Sequence, residues 1–73
     1  MSTLSPKKLL HSKWRALAPR DREKHFLVVA VEYDPLDAQR VTTITLEAVL
    51  SRRHYTLPWR ALADPTQWLR GWR

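Results

Sequence analysis

The sequence has no cysteine and only one glycine, Gly71. The absence of cysteine excludes disulfides and thiolate metal sites as means of stabilising the fold. A single glycine leaves no glycine-rich phosphate loop and no nucleophile elbow, the turn that presents the serine of many hydrolases. No apolar run reaches the roughly 18 to 20 residues of a membrane-spanning helix, and the first residues lack the apolar segment of a signal peptide. We therefore expect no membrane span and a cytoplasmic location.

Residue types that often carry catalysis or bind metals are present but not grouped. The histidines are His11, His25 and His54, and none of the usual spacings of metal ligands connects them. The acidic residues around Asp34-Pro35 are explained by a solvated turn rather than by an acid–base pair. A chain of 73 residues is also expected to be too small to form a pocket of several hundred Å³ by itself. We therefore predict no catalytic residue, no metal site and no cofactor.

The formal net charge is +6, and it is unevenly distributed along the chain. Residues 1–24 carry a net charge of +5, residues 25–51 a net charge of −3 and residues 52–73 a net charge of +4. If the two basic ends fold next to each other, they form a positive patch that attracts phosphate-rich partners. The alternative is that the excess charge only keeps a small protein soluble.

The stretch Thr42–Leu50 alternates with a period of two, which is typical of a strand with one buried and one solvated face. Its predicted inward residues are Thr42, Ile44, Leu46, Ala48 and Leu50. Before it lies the apolar run Phe26–Val31, which is apolar on both faces and is expected to be covered on both sides. After it lies an aromatic alternation of Tyr55, Leu57 and Trp59. Both neighbours can pair with the central stretch, which indicates a small antiparallel sheet.

Four strands are predicted, over Lys13–Leu17, Lys24–Tyr33, Thr42–Ser51 and Tyr55–Pro58. The Asp34-Pro35 pair favours a type I turn between the second strand and the third. The reversal around Ser51–His54 contains no Gly or Asn to supply the positive φ of a two-residue hairpin. A longer turn, a bulge or a bent strand is therefore predicted there.

Helical segments are predicted near both ends of the chain. Ser5 and Pro6 are typical of a helix start, and they predict a short helix over Lys7–His11 with Leu9 and Leu10 packed inward. A helical turn is predicted over residues 59–63. The sequence Asp-Pro-Thr-Gln at residues 64–67 resembles a capping box and predicts a second short helix that carries Trp68 and Leu69 and ends at Gly71.

The predicted fold is α+β and mainly β: a three- to four-stranded antiparallel meander with short helices at both termini. Residues 1–73 are expected to form one domain, with residues 1–4 disordered because nothing in them packs. A domain of this size buries only about 60% of the surface of its unfolded chain, so large side chains must fill its interior. The predicted core consists of Leu27, Val29, Ile44, Leu46, Leu50, Trp59 and Trp68.

Basic and aromatic residues are interleaved in several short segments, a pattern typical of proteins that bind single-stranded nucleic acid. Cationic groups contact phosphates in such proteins, and flat rings stack on bases. A minimal domain also needs its tryptophans inside, so Trp14, Trp59 and Trp68 are predicted to be buried and Trp72 to be exposed. The candidate nucleic-acid-binding residues are Lys13, Arg15, Arg52, Arg53, Arg60, Arg70, Trp72 and Arg73. Ordinary solvated surface is the competing explanation for these residues.

Five segments resemble the small Trp-rich bacterial proteins that are classed as a domain of unknown function. They are KLLHSKW at residues 8–14, EKHF at 23–26, LEAVLS at 46–51, YTLPW at 55–59 and WLRGW at 68–72. The resemblance spans about Leu9 to Arg73. It implies a small cytosolic bacterial protein, and it transfers no catalytic or ligand residue.

Two functions of different class follow from these observations. The first is an accessory protein that binds RNA or other single-stranded nucleic acid through the basic and aromatic residues. The alternative is a protein-interaction module that docks on a larger bacterial complex through an exposed tryptophan and a sheet edge. The sequence determines neither the partner nor the oligomeric state.

Overall fold

The computed structural model describes residues 8–20 and 23–71, with the main chain alone for Pro19 and Arg20. Five strands form one antiparallel sheet: β1 (Lys13–Arg20), β2 (Glu23–Asp34), β3 (Asp37–Ala48), β4 (His54–Pro58) and β5 (Trp68–Arg70). A 3₁₀ helix, Trp59–Ala63, lies between β4 and β5. The strand order is β4-β3-β2-β1-β5. The mainly β class is therefore confirmed, and β1 to β4 follow one another as the predicted meander. The strand count is five rather than three or four, and β5 leaves the meander because it pairs with β1 at the far edge.

Strands β2 and β3 form a hairpin that is longer than predicted. They are joined by a two-residue turn, in which the Asp34 carboxylate accepts a hydrogen bond from the Leu36 amide at 2.8 Å. Pairing continues from Tyr33 opposite Val41 to Asp34 opposite Asp37. The first residues of β3 are exposed and have no buried face. They therefore lack the alternation of apolar and polar residues from which a strand is predicted.

The central strand shows the predicted alternation from Ile44 to Ala48, whereas Thr42, also predicted to face inward, is only partly buried and Val41 is buried instead. Ile44, Leu46 and Ala48 are each 0% exposed, as predicted from the period of two. Leu50 was expected to continue this face, and that prediction is wrong, since Leu50 is 71% exposed. The strand ends at Ala48, so the alternation no longer determines where later side chains point.

The inward residues of β2 are the opposite set from the one predicted. Phe26 and Val28 are buried, whereas the predicted Leu27 and Val29 are only partly buried. A run that is apolar on both faces carries no signal for which face turns inward, and a shift of one residue exchanges the two sets. A register irregularity between Val28 and Ala30 then brings the partly buried Val31 opposite Ile44.

The connection between β3 and β4 is a turn over residues 49–53, longer than two residues as predicted. Arg52 adopts a φ of 66°, the left-handed conformation that glycine or asparagine usually supplies. Two main-chain bonds close the turn: the Arg52 amide donates to the Ala48 carbonyl at 2.8 Å, and the Ala48 amide donates to the Arg53 carbonyl at 2.9 Å.

The predicted terminal helices are not supported. In the described part of the first one, Leu10 and His11 form a turn, and His11 has a φ of 69°, which a right-handed helix does not allow. Ser5 and Lys7 lie outside the described residues, as does the expected disorder of residues 1–4. Leu9 is buried as predicted, but Leu10 is 43% exposed.

The segment that resembles a capping box forms one turn and then a strand. The Asp64 carboxylate accepts hydrogen bonds from the Thr66 amide at 2.9 Å and the Thr66 hydroxyl at 2.6 Å. Residues 68–70 pair with β1 instead of continuing as a helix. Helix nucleation is costly and is repaid only over many residues, whereas strand pairing places Trp68 against the core at once. The predicted turn over residues 59–63 is confirmed as a 3₁₀ helix.

The core lies on one face of the sheet, which we call the inner face. Trp14 is 2% exposed and contacts this core together with Phe26, Val28, Ile44 and Leu46. Leu9, which precedes β1, and Leu62 of the 3₁₀ helix are buried in the same cluster and cover part of the inner face. Trp59 and Trp68 are partly buried and pack against the cluster, so the prediction that they belong to the core is only partly confirmed.

Candidate functional site

The part of the inner face that Leu9 and Leu62 leave uncovered forms an open cleft, which we call the aromatic cleft. Its volume is about 550 Å³. It is lined by Ala16, Ala18, Glu23, Phe26, Leu46, Arg53, Tyr55, Leu57, Gln67 and Trp68. The expectation that so short a chain lacks a pocket of this size is wrong, because a single sheet can form an open cleft without enclosing it.

Side-chain sizes on the two outer pairs of strands explain why the cleft is open. Ala16 lies directly opposite Trp68 in the β1–β5 pair, so a small side chain faces a large one. Ala18 continues the same face two residues further along β1. Tyr55 stands on the other side, on β4. The two edge strands therefore supply aromatic walls, and alanines leave the space between them empty.

Three aromatic rings meet in the cleft. The Phe26 ring lies 5.3 Å from the Trp68 ring and 6.0 Å from the Tyr55 ring, measured between centroids. The interplanar angles are 82° and 71°, so Phe26 is nearly perpendicular to both neighbours in the edge-to-face geometry that aromatic pairs prefer. Phe26 is 6% exposed and forms the floor, whereas Tyr55 is 37% exposed and Trp68 is partly exposed. The wall rings are therefore within reach of a ligand.

A carboxylate lies at the end of the cleft where β2 begins. Glu23 is 5% exposed, and it is the buried charged residue of the described chain. The Tyr55 hydroxyl donates to its Oε1 at 2.6 Å, and the Ser51 hydroxyl donates to its Oε2. These two hydrogen bonds, with a smaller contribution from the nearby Arg53 guanidinium, lower the pKa of Glu23 below its usual value despite the opposing effect of desolvation. Glu23 is therefore ionised at neutral pH.

Tyr55 and Arg53 complete this end of the cleft. Because the Tyr55 hydroxyl donates to an ionised carboxylate, the pKa of Tyr55 is raised above its usual value. The nearby Arg53 guanidinium opposes part of this rise in the pKa of Tyr55, and the Arg53 main-chain amide donates to the Ser51 hydroxyl at 3.3 Å. The cleft thus combines one anionic group, one cationic group and two accessible rings.

The cations predicted to bind nucleic acid are spread over the sheet rather than gathered in one place. Lys13 and Arg15 alternate with Trp14 and Ala16 along β1, so they extend from the outer face. Arg70 follows on the β5 edge, whereas Arg60 lies after β4 at the opposite edge. The structure does not bring Arg60 together with the cations of β1 and β5.

Several of these cations contact their own chain. The Arg70 guanidinium lies 5.8 Å from the centre of the Trp14 ring, and that of Arg60 lies 5.6 Å from the centre of the Trp59 ring, both within cation–π range. Arg52 is ion-paired with Glu47 at 3.5 Å. Of the candidates within residues 8–20 and 23–71, Arg53 alone lines the aromatic cleft. Trp72 and Arg73 lie outside the described residues.

A family model of tryptophan-rich proteins, DUF2389, matches residues 12–73. The chain belongs to this family. The match includes every described strand, so the predicted resemblance is confirmed, and the family is one of unknown function. No curated protein and no solved structure shows significant similarity to the chain. Within the described ranges, no helix is long and apolar enough to cross a membrane.

Sequence reasoning missed most of the side chains that form the cleft in this family member. Glu23 lies in a charged stretch, Asp21 to Lys24, and nothing in that stretch distinguishes the one carboxylate that becomes buried. Tyr55 belongs to the predicted aromatic alternation, but the pattern does not indicate a hydrogen bond to a residue 32 positions away. The signal that was available is the pair of small residues Ala16 and Ala18, but the predicted strand ended at Leu17 and left Ala18 in the connection that follows, whereas the observed strand continues to Arg20.

Proposed function

We propose that the chain binds single-stranded nucleic acid, RNA in the first instance, in the aromatic cleft. The role is that of an accessory binding protein without catalytic activity. The observation that carries the proposal is the placement of Tyr55 and Trp68 as two partly exposed walls of one open cleft, with Arg53 at its border. Flat rings beside a guanidinium are the combination used to bind an unpaired base and its phosphate.

The shape of the cleft favours an unpaired base over a duplex. A base in a duplex is stacked on both sides and cannot enter a cleft between two protein rings, whereas a base in a single strand is free to enter. Each stacked base contributes about 1 to 3 kcal/mol, so even one base held between Tyr55 and Trp68 would add substantially to the affinity. The volume of about 550 Å³ lies in the usual range for sites that hold a small organic group.

Charge supports the same proposal both through direct contact and through long-range attraction. Arg53 lines the same cleft as the two rings, and we assign to it the contact with the phosphate of the bound base. The net charge of +6 attracts a polyanion from further away, and the outer-face cations of β1 contribute to that attraction without touching the strand in the cleft. Binding is therefore expected to weaken with salt, with a slope in log K of about 0.7 for each phosphate contacted.

The test is a fluorescence titration with eight-nucleotide RNA and DNA strands at two salt concentrations. Ala16→Leu fills the cleft opposite Trp68, and we expect it to abolish the binding. Ala38→Leu, on an exposed position of β3, is the matched control and is expected to bind normally. Arg53→Gln is expected to weaken binding about tenfold and to lower the salt slope by about 0.7, as loss of one phosphate contact requires.

Arg60→Gln is the control for Arg53, because Arg60 is at the opposite edge of the sheet and lies over Trp59. Near-UV circular dichroism would establish that each variant is folded. Normal binding by the Ala16→Leu variant, or equal losses for Arg53→Gln and Arg60→Gln, would show that the strand does not enter the cleft.

A second candidate function is the docking of a protein on strand β4. This strand is at an edge of the sheet, and most of its residues are exposed, so its free side is open to an added strand. A stoichiometric partner that survives nuclease treatment and protects the β4 amides from hydrogen exchange would favour this function.

A further inference from the structure

We infer that the aromatic cleft selects guanine, with the Glu23 carboxylate accepting hydrogen bonds from the N1–H and 2-amino groups of the base. This inference rests on the proposed function and adds a specificity to it. It assigns to Glu23 the role of the residue that determines which base is bound, whereas Tyr55 and Trp68 hold any base.

The Glu23 carboxylate can accept more hydrogen bonds than the two described hydroxyls supply. An ionised carboxylate offers about four lone-pair positions over its two oxygens. In this chain Tyr55 donates to Oε1 and Ser51 donates to Oε2, so each oxygen has one described hydroxyl donor. Among the described residues, these hydroxyls take one acceptor position on each oxygen, and two adjacent donors on a ligand can occupy the second position of each. The two hydroxyl donors hold the carboxylate in place for such a ligand.

The four bases differ in the hydrogen-bond donors on their pairing edges. Guanine alone presents two neighbouring N–H donors on its pairing edge, N1–H and the 2-amino group, which match the two oxygens of a carboxylate. Cytosine and adenine each present one amino group beside a ring nitrogen whose lone pair repels an anion. Uracil presents one N–H between two carbonyl oxygens. A buried carboxylate therefore favours guanine over the other bases.

The Glu23 carboxylate and the two wall rings lie in the same cleft. Glu23 lines the same cleft as Tyr55 and Trp68, and it is bonded directly to the hydroxyl of one of them. A base that stacks on the Tyr55 ring therefore has Glu23 beside one of its edges. Because the carboxylate is buried, water competes only weakly for its oxygens. Adenine, cytosine or uracil in the cleft would instead place a lone pair against the carboxylate, which is unfavourable.

The experiment uses eight-nucleotide oligouridine strands in which one central base is guanine, hypoxanthine (inosine), adenine or cytosine. Affinity is measured with the wild-type chain by fluorescence anisotropy of a labelled strand. We expect the guanine strand to bind about tenfold more tightly than the adenine and cytosine strands, the discrimination typical of one bidentate contact. The inosine strand, which lacks the 2-amino group, should fall between them.

Two variants test the residue itself. Glu23→Gln replaces one acceptor by a donor, and we expect it to remove the preference for guanine while still binding all strands. Tyr33→Phe, which removes a hydroxyl from an exposed tyrosine outside the cleft, is the control and should keep the preference. Because the base series on the wild-type chain needs no substitution, the inference remains testable even if Glu23→Gln does not fold.

The outcomes separate the inference from the proposed function. Equal affinity for all four strands overturns the inference and leaves the proposed function standing. Absence of binding to every strand overturns both. Rings around a carboxylate also attract alkylammonium cations, so tetramethylammonium chloride is tested alone by tryptophan fluorescence. If tetramethylammonium binds while the strands show no base preference, the cleft is a cation site and the inference is wrong.

Discussion

Glu23 is a buried carboxylate that keeps its charge because two hydroxyls are directed at it. Burial alone raises the pKa of a carboxyl group, and hydrogen bonds to its charged form lower it. In Glu23 the bonds from Ser51 and Tyr55 outweigh the desolvation, and the pKa falls. The same contacts connect three segments that are distant in sequence: the start of β2, the β3–β4 turn and β4. Glu23 thus both stabilises the sheet and supplies the anionic group of the cleft.

This arrangement predicts how the stability of the chain depends on pH. The folded pKa of Glu23 is below the unfolded value of about 4.3, so its contribution is fully present above that pH and is lost as the pH falls through the folded pKa. Glu23→Gln should therefore be less stable than the wild type at pH 7, and the difference should shrink below about pH 4. Urea unfolding of both chains at pH 7, 4 and 3 measures it.

Tyr55→Phe is the control for this prediction. This variant removes one of the two hydrogen bonds to Glu23 and leaves the carboxylate. The difference in the free energy of unfolding between Tyr55→Phe and Glu23→Gln should therefore depend on pH less steeply than the difference between the wild type and Glu23→Gln. If the wild type were more stable than Glu23→Gln by the same amount from pH 7 to pH 3, the ionised Glu23 carboxylate would not be the source of the difference.

The β3–β4 turn is an element whose conformation is supported by its surroundings rather than by its own sequence. Arg52 takes the left-handed conformation, which costs an L-residue roughly 1 to 2 kcal/mol relative to glycine. The turn must nevertheless place Ser51 against Glu23 and Arg53 beside Tyr55. The hydrogen bonds of Ser51 and the pairing of β4 with β3 offset the cost.

We therefore predict that Arg52→Gly stabilises the chain. Relative to Arg52→Ala, it should raise the free energy of unfolding by about 0.5 to 1 kcal/mol, since the greater entropy of glycine in the unfolded chain cancels part of the gain. Arg52→Ala is the matched control because both variants lose the ion pair with Glu47. That pair is worth little, as the Arg52 side chain is 80% exposed. Equal stability of the two variants in urea would mean that the turn stores no strain.

The whole molecule is thin and strongly basic. Its principal extents are 37 × 30 × 16 Å, and its net charge is +6. Salt screens charges over about 30 Å at 0.01 M and about 8 Å at 0.15 M. At low salt the screening length is therefore comparable to the molecule, and every cation repels every other. At physiological salt only close neighbours interact.

We predict from this that salt stabilises the free chain. Raising sodium chloride from about 0.01 to 0.15 M should raise the Tm, because self-repulsion of the compact state is screened. Arg40→Glu, which lowers the net charge by two at an exposed position outside the cleft, should make the Tm less sensitive to salt. A Tm that falls with added salt would show that attractive ion pairs outweigh the repulsion. The same salt increase is expected to weaken the proposed nucleic-acid binding, so the two effects would have opposite signs and be separable.

The sequence by itself determined the features that depend on neighbouring residues. The alternation through Ile44, Leu46 and Ala48 identified the central strand and its buried face, because a strand fixes side-chain direction by periodicity alone. The helical turn after Pro58 was predictable from local backbone preferences, and the lack of Gly and Asn near Ser51 predicted a reversal longer than two residues, but not the positive φ of Arg52 within it. Membership of the family followed from short motifs in a fixed order.

Tertiary structure alone decided the features that depend on distant partners. Phe26 rather than Leu27 points inward because β1 and β3 fix the register of a run that is apolar on both faces. Trp68 lies on a strand because β1 offers it a partner and one helical turn does not. Glu23 becomes a buried acceptor because Ser51 and Tyr55 reach it from across the sheet. Such contacts arise only after the chain has folded, and no local pattern encodes them.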